Sequence, residues 1–160
     1  MSDDLVPRSP ATSGQTNRLA LVLGYSGLLP MAGILISQWF WPAFARELLQ
    51  LSMLYVGVIF SFLGGIQWGL ILHRYADADV PTSALTTRLI VSVLPALLTV
   101  VALIMPAVLG CLVFGIGLWL LMAFEWLKRK QLPHPTWYLP LRLNLTTLLS
   151  GTLAGTLWMS

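Results

Sequence analysis

Few side chains in this sequence could do chemistry, and most of them sit where long apolar runs begin or end. Gln67 is the polar residue deepest inside such a run without a local reason to be there, and Trp68 follows it. An amide surrounded by hydrocarbon needs hydrogen-bond partners. Gln67 is therefore expected either to bond across to another helix or to line a small polar pocket. His73 and Glu125 close two of the runs, where they are expected to reach water. Glu125 also stands four residues before Arg129, the favourable order for an ion pair on a helix surface. Arg142 opens the last run, after a stretch holding Lys128-Arg129-Lys130, Pro133, Pro135, Trp137, Tyr138 and Pro140. Basic side chains and Trp/Tyr rings of this kind anchor a chain at an anionic membrane surface. A sharper reading makes Arg142 and Trp137 part of a headgroup or partner site. If His73, Glu125 and Arg142 converged, they would equip acid–base chemistry on a lipid or quinone.

The signatures of better-known chemistries are missing. His73 and His134 are the only histidines, one at the end of an apolar run and one between two prolines, an arrangement unsuited to paired axial haem ligation. The sequence has no HExxH, no Cys/His metal spacing, no Gly-x-Ser-x-Gly and no phosphate loop; Gly64-Gly65 has no Lys-Ser/Thr after it. Cys111 is the single cysteine, so no intrachain disulfide can form and the thiol is expected to act as a small hydrophobe. Asp77 and Asp79 read as solvated charge in a polar turn. No catalytic, cofactor-binding or metal-binding residue is assigned, and no cofactor is expected.

The elements that position these residues follow from composition. Of 160 residues, 57% are apolar and 9% charged, and the mean hydropathy is +0.81. A soluble domain carries roughly 25% charged residues, so this chain has too few to wet its surface, and lipid is its solvent. That excludes a soluble enzyme, a disordered regulator and a nucleic-acid binder. Crossing a bilayer takes about 20 helical residues. The charge-free runs predict an all-α polytopic protein with five transmembrane helices, about 19–41, 48–72, 86–105, 107–126 and 142–159. The run from Leu89 to Phe124 is too long for one crossing, and Pro106, with Gly110 nearby, is its natural corner. Residues 1–17, which lack the basic start of a secretory signal, are expected to form a disordered cytoplasmic tail ahead of the membrane domain at 18–160.

Basic residues near span ends mark the cytoplasmic side. Five spans place Arg8, Arg18, Arg74, Arg88, Lys128, Arg129, Lys130 and Arg142 on one side and Arg46 alone on the other, accounting for all nine. The N-terminus is thus expected in the cytoplasm and the C-terminus outside. No acid or base is expected to be buried within the bundle.

Helices in lipid associate through small residues and interhelical hydrogen bonds. The second span carries Gly57, Ser61, Gly65 and Gly69 at four-residue steps, with Gly64 and Trp68 on nearly the same face. This is expected to be a packing face inside the bundle. Thr147, Gly151 and Gly155 form a shorter ladder in the last span, one that could face a partner membrane protein. Pro30 and Pro95 are expected to kink the first and third spans.

Two motifs then suggest a family. Leu23-Gly24-Tyr25-Ser26-Gly27-Leu28-Leu29-Pro30 and Tyr55 to Gly69, with its core Ser-Phe-Leu-Gly-Gly-x-x-Trp-Gly, resemble the transmembrane protein 69 family, a domain of unknown function. Leu94-Pro95 and the stretch Trp137-Tyr138…Leu141-Arg142…Leu145-Thr146 are similar to it as well. The resemblance covers nearly the whole chain after the N-terminal tail. It implies a small multi-pass protein of a bacterial inner membrane, or of the mitochondrial inner membrane if the source is eukaryotic. Members often have His or Arg at the position of Gln67, a charge that this chain lacks there. No activity comes with the resemblance. From the residues, a non-enzymatic assembly or stabilising factor for a membrane complex is expected first. A small-molecule or lipid transporter subunit comes second and an intramembrane enzyme acting on lipid or quinone third.

Overall fold

A computed structural model describes the backbone of residues 10–74, 82–129 and 137–160, and the side chains of 18–72, 86–129 and 137–160. All regular structure among them is helical: α1 (Pro10–Ser26), α2 (Leu29–Phe40), α3 (Ala45–Arg74), α4 (Thr82–Ile104), α5 (Ala107–Leu127) and α6 (Tyr138–Trp158), with a 3-10 turn at Pro42–Phe44. Four segments are long and apolar enough to cross a membrane: Arg18–Phe40, Pro42–Leu72, Thr86–Ile104 and Ala107–Leu127. The 21-residue α6 matches α5 in length, but Arg142, Asn144 and four threonines dilute its apolar character.

Helices α3 to α6 run antiparallel to their chain neighbours, giving the bundle two ends. Near one lie Arg18, Arg88, Lys128, Arg129 and Arg142, here called the basic end; the α2–α3 turn and the Pro106 corner make the far end. Pro106 stands between α4 and α5 with φ −51° and ψ 139°, as its missing N–H and fixed φ require. Residues 10–17, expected in the disordered tail, are helical backbone instead. Extending an existing helix outward costs little once the apolar segment has nucleated it.

The first span is broken rather than merely kinked. Pro30 cannot donate to the Ser26 carbonyl, and the chain turns at Gly27 and Leu28 before α2 starts. The Tyr55 hydroxyl donates to the Gly27 carbonyl oxygen at 2.6 Å, so the two family-like motifs meet at this break. In α4 the helix continues through Pro95.

The ladder on α3 divides. An added Cβ at Gly64 would lie 2.5 Å from the Ser92 carbonyl oxygen and 2.9 Å from the Pro95 ring, and one at Gly57 would lie 2.7 Å from Thr99 Cγ2. Ser61 Oγ donates to Thr99 Oγ1 at 3.1 Å. These residues seat α4 directly against α3. Gly65 and Gly69 have no atom within 4 Å of an added Cβ, and Trp68 is 44% exposed. The expectation of one continuous packing face is corrected here. Each four-residue step drifts about 40° around a helix of 3.6 residues per turn, so the ladder winds away from α4 before it ends.

The core between these helices is apolar: Met53, Val56, Phe60, Phe114, Leu118, Leu149 and Leu153 are buried together. The Phe60 and Phe114 rings meet edge to face at 6.4 Å. Cys111 lies buried in this cluster as a free thiol. Large apolar side chains such as Trp39, Leu120 and Leu127 cover the outside, as a lipid-solvated surface requires.

Candidate functional site

At the basic end four helices converge on one carboxylate. Glu125, in the last turns of α5, is 1% exposed. Its Oε1 accepts from Gln67 Nε2 of α3 at 3.0 Å. Its Oε2 lies 3.4 Å from Arg142 Nε of α6, and the Tyr138 hydroxyl is 3.4 Å away as a hydrogen-bond donor. Gln67 completes a relay, because its Oε1 accepts from Arg88 Nη1 of α4 at 3.0 Å. Arg88 also donates through Nη2 to the Lys128 carbonyl at 3.2 Å, and its guanidinium lies 5.6 Å from the Phe124 ring centroid. Arg142 Nη1 donates to Thr146 Oγ1 one turn along α6 at 2.9 Å. Gln67, Arg88, Arg142 and Thr146 are all no more than 3% exposed.

Each member comes within about two turns of a helix end, and the antiparallel order brings those ends to one level. Helix α3 arrives here and α4 leaves; α5 arrives and α6 leaves. The close seating of α4 on Gly64 sets the rotation that aims Arg88 at Gln67, one turn along from Gly64 on the same buried face.

Three expectations are corrected. Acids and bases are buried within the bundle: Arg88, Glu125 and Arg142 are sealed by protein and do not reach water. Burying a charge is tolerable only when it is paired and hydrogen-bonded, and Glu125 meets that condition through three helices. Its partner is Arg142, not Arg129. Helix α5 ends at Leu127, so Arg129 lies beyond it, donates to the Trp126 carbonyl at 2.9 Å and covers the Trp126 ring at 4.9 Å. The small-residue ladder, finally, contributes Gly57, Ser61 and Gly64 to packing but not Gly65, Trp68 or Gly69.

Of the three residues that an intramembrane enzyme would bring together, the structure joins Glu125 and Arg142. His73 has its side chain outside the described residues, as does the whole of His134. Gln67 bonds across the bundle, one of its two expected outcomes. Trp137 and Tyr138 are not a free aromatic belt; both are partly buried where α6 starts, in edge-to-face contact at 6.4 Å. Sequence reasoning passed over Arg88 and Gln38. The signal for Arg88 was its depth, since it stands at the same level as Gln67 once the helices alternate. Gln38, 1% exposed, donates to the Thr156 carbonyl of α6 at 2.9 Å near the far end. No group of three or more metal-binding side chains occurs among the described residues.

Beside the charged cluster, between α1, α3 and α6, lies a cavity of about 370 Å³ lined by Ala20, Leu23, Phe62, Ile66, Trp137 and Arg142, among others. A larger apolar groove of about 650 Å³ runs between α5 and α6 past Gly115, Trp119, Ser150 and Leu157.

Comparison with known proteins places this arrangement in a group. The family described as "Protein of unknown function (DUF3429)" matches residues 16–158, which hold α2 to α6 whole and all but the first six residues of α1. The chain belongs to this family. It is 31% identical over 145 residues to transmembrane protein 69 of Xenopus tropicalis, an alignment covering 86% of this chain and 53% of the frog protein. The chain thus spans about half the length of that curated relative. No solved structure matches. This member of the family is a multi-pass integral membrane protein, and the expected resemblance holds. Within the family frame, the Tyr55–Gly69 motif gains a structural meaning: it carries the Gly27 carbonyl's partner, the seat for α4 and the relay amide Gln67.

Proposed function

We propose that this is a non-enzymatic assembly or stabilising factor that binds another integral membrane protein through its outer helix faces. The observation that carries the reading is a set of small residues left over after the bundle has closed. An added Cβ would meet no atom within 4 Å at Gly65 and Gly69 of α3, Gly115 of α5 or Gly151 of α6. Small residues in lipid-facing helices allow close backbone approach by another helix. The groove between α5 and α6 adds a polar cue, because Ser150 Oγ there is shielded and has no hydrogen-bond partner. A transmembrane helix of a partner protein offers both the volume and the side-chain chemistry to fill it. The charged cluster supports the same reading from the other direction. Both oxygens of Glu125 are engaged by protein groups, an arrangement suited to pinning helices rather than cycling a proton.

The proposed placement has five crossings, with α6 as the fifth, in a bacterial or mitochondrial inner membrane. The basic end faces the cytoplasm or matrix and the C-terminus lies on the other side. The excess of basic residues at one end supports this orientation. A reporter enzyme that is active only outside the cytoplasm, fused after Ser160, is expected to be active.

The test of function is a pair of substitutions, Gly115→Leu and Gly151→Leu, in a tagged chain extracted from native membranes with a mild detergent. The unaltered chain is expected to run in a complex larger than itself. The double variant is expected to stay folded and run alone, since a Cβ added at either glycine meets no atom within 4 Å. Recovery of the unaltered chain as a monomer, or a double variant that keeps the whole complex, overturns the proposal.

A further inference from the structure

The cavity between α1, α3 and α6 holds two buried donors with nothing to donate to. Arg142 Nη2 and Trp137 Nε1 are both shielded from solvent and lack a hydrogen-bond partner, and both residues line this cavity. Arg142 as a whole is 2% exposed. Unpartnered N–H groups in an apolar setting are costly, the more so for a guanidinium. Of the other Arg142 nitrogens, Nη1 donates to Thr146 and Nε faces Glu125 Oε2 at 3.4 Å as an ion pair without a hydrogen bond. That leaves Nη2 as the edge with neither a hydrogen bond nor a counter-charge of its own.

Charge points the same way. The buried cluster contains two guanidinium groups, Arg88 and Arg142, and one carboxylate, Glu125. The cluster carries one net positive charge, and of its two guanidinium groups Arg142 lines the cavity, whose other walls are Tyr138 and apolar residues such as Leu23, Phe62, Ile66 and Leu145. Its volume of about 370 Å³ falls within the range of small-molecule sites. An occupant must bring acceptor oxygens, a negative charge and a long apolar tail.

We infer that this cavity binds a long-chain amphiphile with a small anionic head, either a carboxylate or a phosphate. The head accepts from Arg142 Nη2 and Trp137 Nε1, and the chain lies along α1 and α3. A fatty acid and the headgroup of an anionic phospholipid share this chemistry. A neutral quinone would satisfy the donors but leave the excess charge unmatched.

The experiment uses the full chain in phosphatidylcholine nanodiscs, with three probes in parallel: oleate, dioleoyl phosphatidate and oleyl alcohol. Binding is read by native mass spectrometry and by equilibrium titration, and thermal unfolding reports folding. Oleate or phosphatidate is expected to bind saturably, one per chain, at least tenfold tighter than oleyl alcohol. Whichever of the two anions binds tighter identifies the source. Trp137→Phe keeps an aromatic ring, though a smaller one, and removes the N–H, and a several-fold loss of affinity is expected. Ala20→Phe fills the cavity, and loss of saturable binding is expected with the protein still folded. Arg142→Gln leaves Glu125 without its ion-pair partner; if it fails to fold, the Trp137 and Ala20 variants carry the test. Equal affinity for oleyl alcohol overturns the anionic head. No saturable binding of either anion by folded protein overturns the site, as does unchanged binding by both Trp137→Phe and Ala20→Phe.

Discussion

The two ends of the bundle solve the same problem differently. At the far end a single neutral amide, Gln38, donates one bond to the Thr156 carbonyl and leaves its own Oε1 without a partner. At the basic end an amide in the same chemical position, Gln67, uses both of its ends. It donates to Glu125 and accepts from Arg88, and through them it ties α3 to α4, α5 and α6. The far end tolerates a missing hydrogen bond. The basic end holds charges that cannot be left alone, because an uncompensated ion in low dielectric costs several times more than an unpaired amide. The consequence is a division of labour, in which one end closes the bundle and the other fixes the mutual rotation of four helices.

That contrast predicts its largest effect at Glu125. Glu125→Ala leaves two buried guanidinium groups without a counter-charge and is expected to cost about 3–5 kcal/mol, read as lost folded yield and an early thermal transition in detergent. The double variant Glu125→Ala with Arg142→Met is expected to recover part of that loss, a non-additive result that a double-mutant cycle would measure. Full additivity would mean that the pair does not pin α5 to α6.

Next comes the comparison of the two amides themselves. Gln67→Leu takes one partner from Glu125 and one from Arg88, and is expected to cost about 2–3 kcal/mol. Gln38→Leu removes one bond to a backbone carbonyl and is expected to cost about 1 kcal/mol or less. Equal losses would erase the distinction between the ends. On α3, Gly64→Ala must push against the Ser92 backbone and the Pro95 ring and is expected to cost about 1–3 kcal/mol. Its neighbour Gly65→Ala meets nothing and is expected to leave stability unchanged or slightly raised. The smallest effect belongs to Tyr138→Phe, whose hydroxyl is 3.4 Å from Glu125 Oε2. A loss of about 0.5–1 kcal/mol is expected, measured by the same unfolding assay.

How much of this could be read from the residues varies with the kind of interaction. The corner at Pro106, the burial of Cys111 and the cross-bundle bonding of Gln67 followed from local chemistry. The partner of Glu125 did not. The spacing to Arg129 is a rule about one continuous helix, and α5 stops at Leu127 before the rule can apply. Arg142, seventeen positions along the chain, is nearer in space because α6 turns back against α5. The glycine ladder failed for a related reason. Four-residue spacing approximates a helical face over one step and departs from it over two, so Gly57 and Ser61 pack while Gly65 and Gly69 do not.

The sequence by itself determined the solvent, the helices and their alternation. Apolar runs longer than the hydrocarbon core, with bases gathered at their ends, admit no other arrangement of backbone hydrogen bonds. It also determined which residues would stand near each end. The tertiary structure alone decided who pairs with whom there. Pairing depends on how far each helix is rotated about its axis, and that rotation is set by contacts such as Gly64 against Ser92 and Pro95. Side chains far apart in the chain choose those contacts together, through packing, which is why Glu125, Arg88 and Arg142 became one buried cluster instead of three solvated charges.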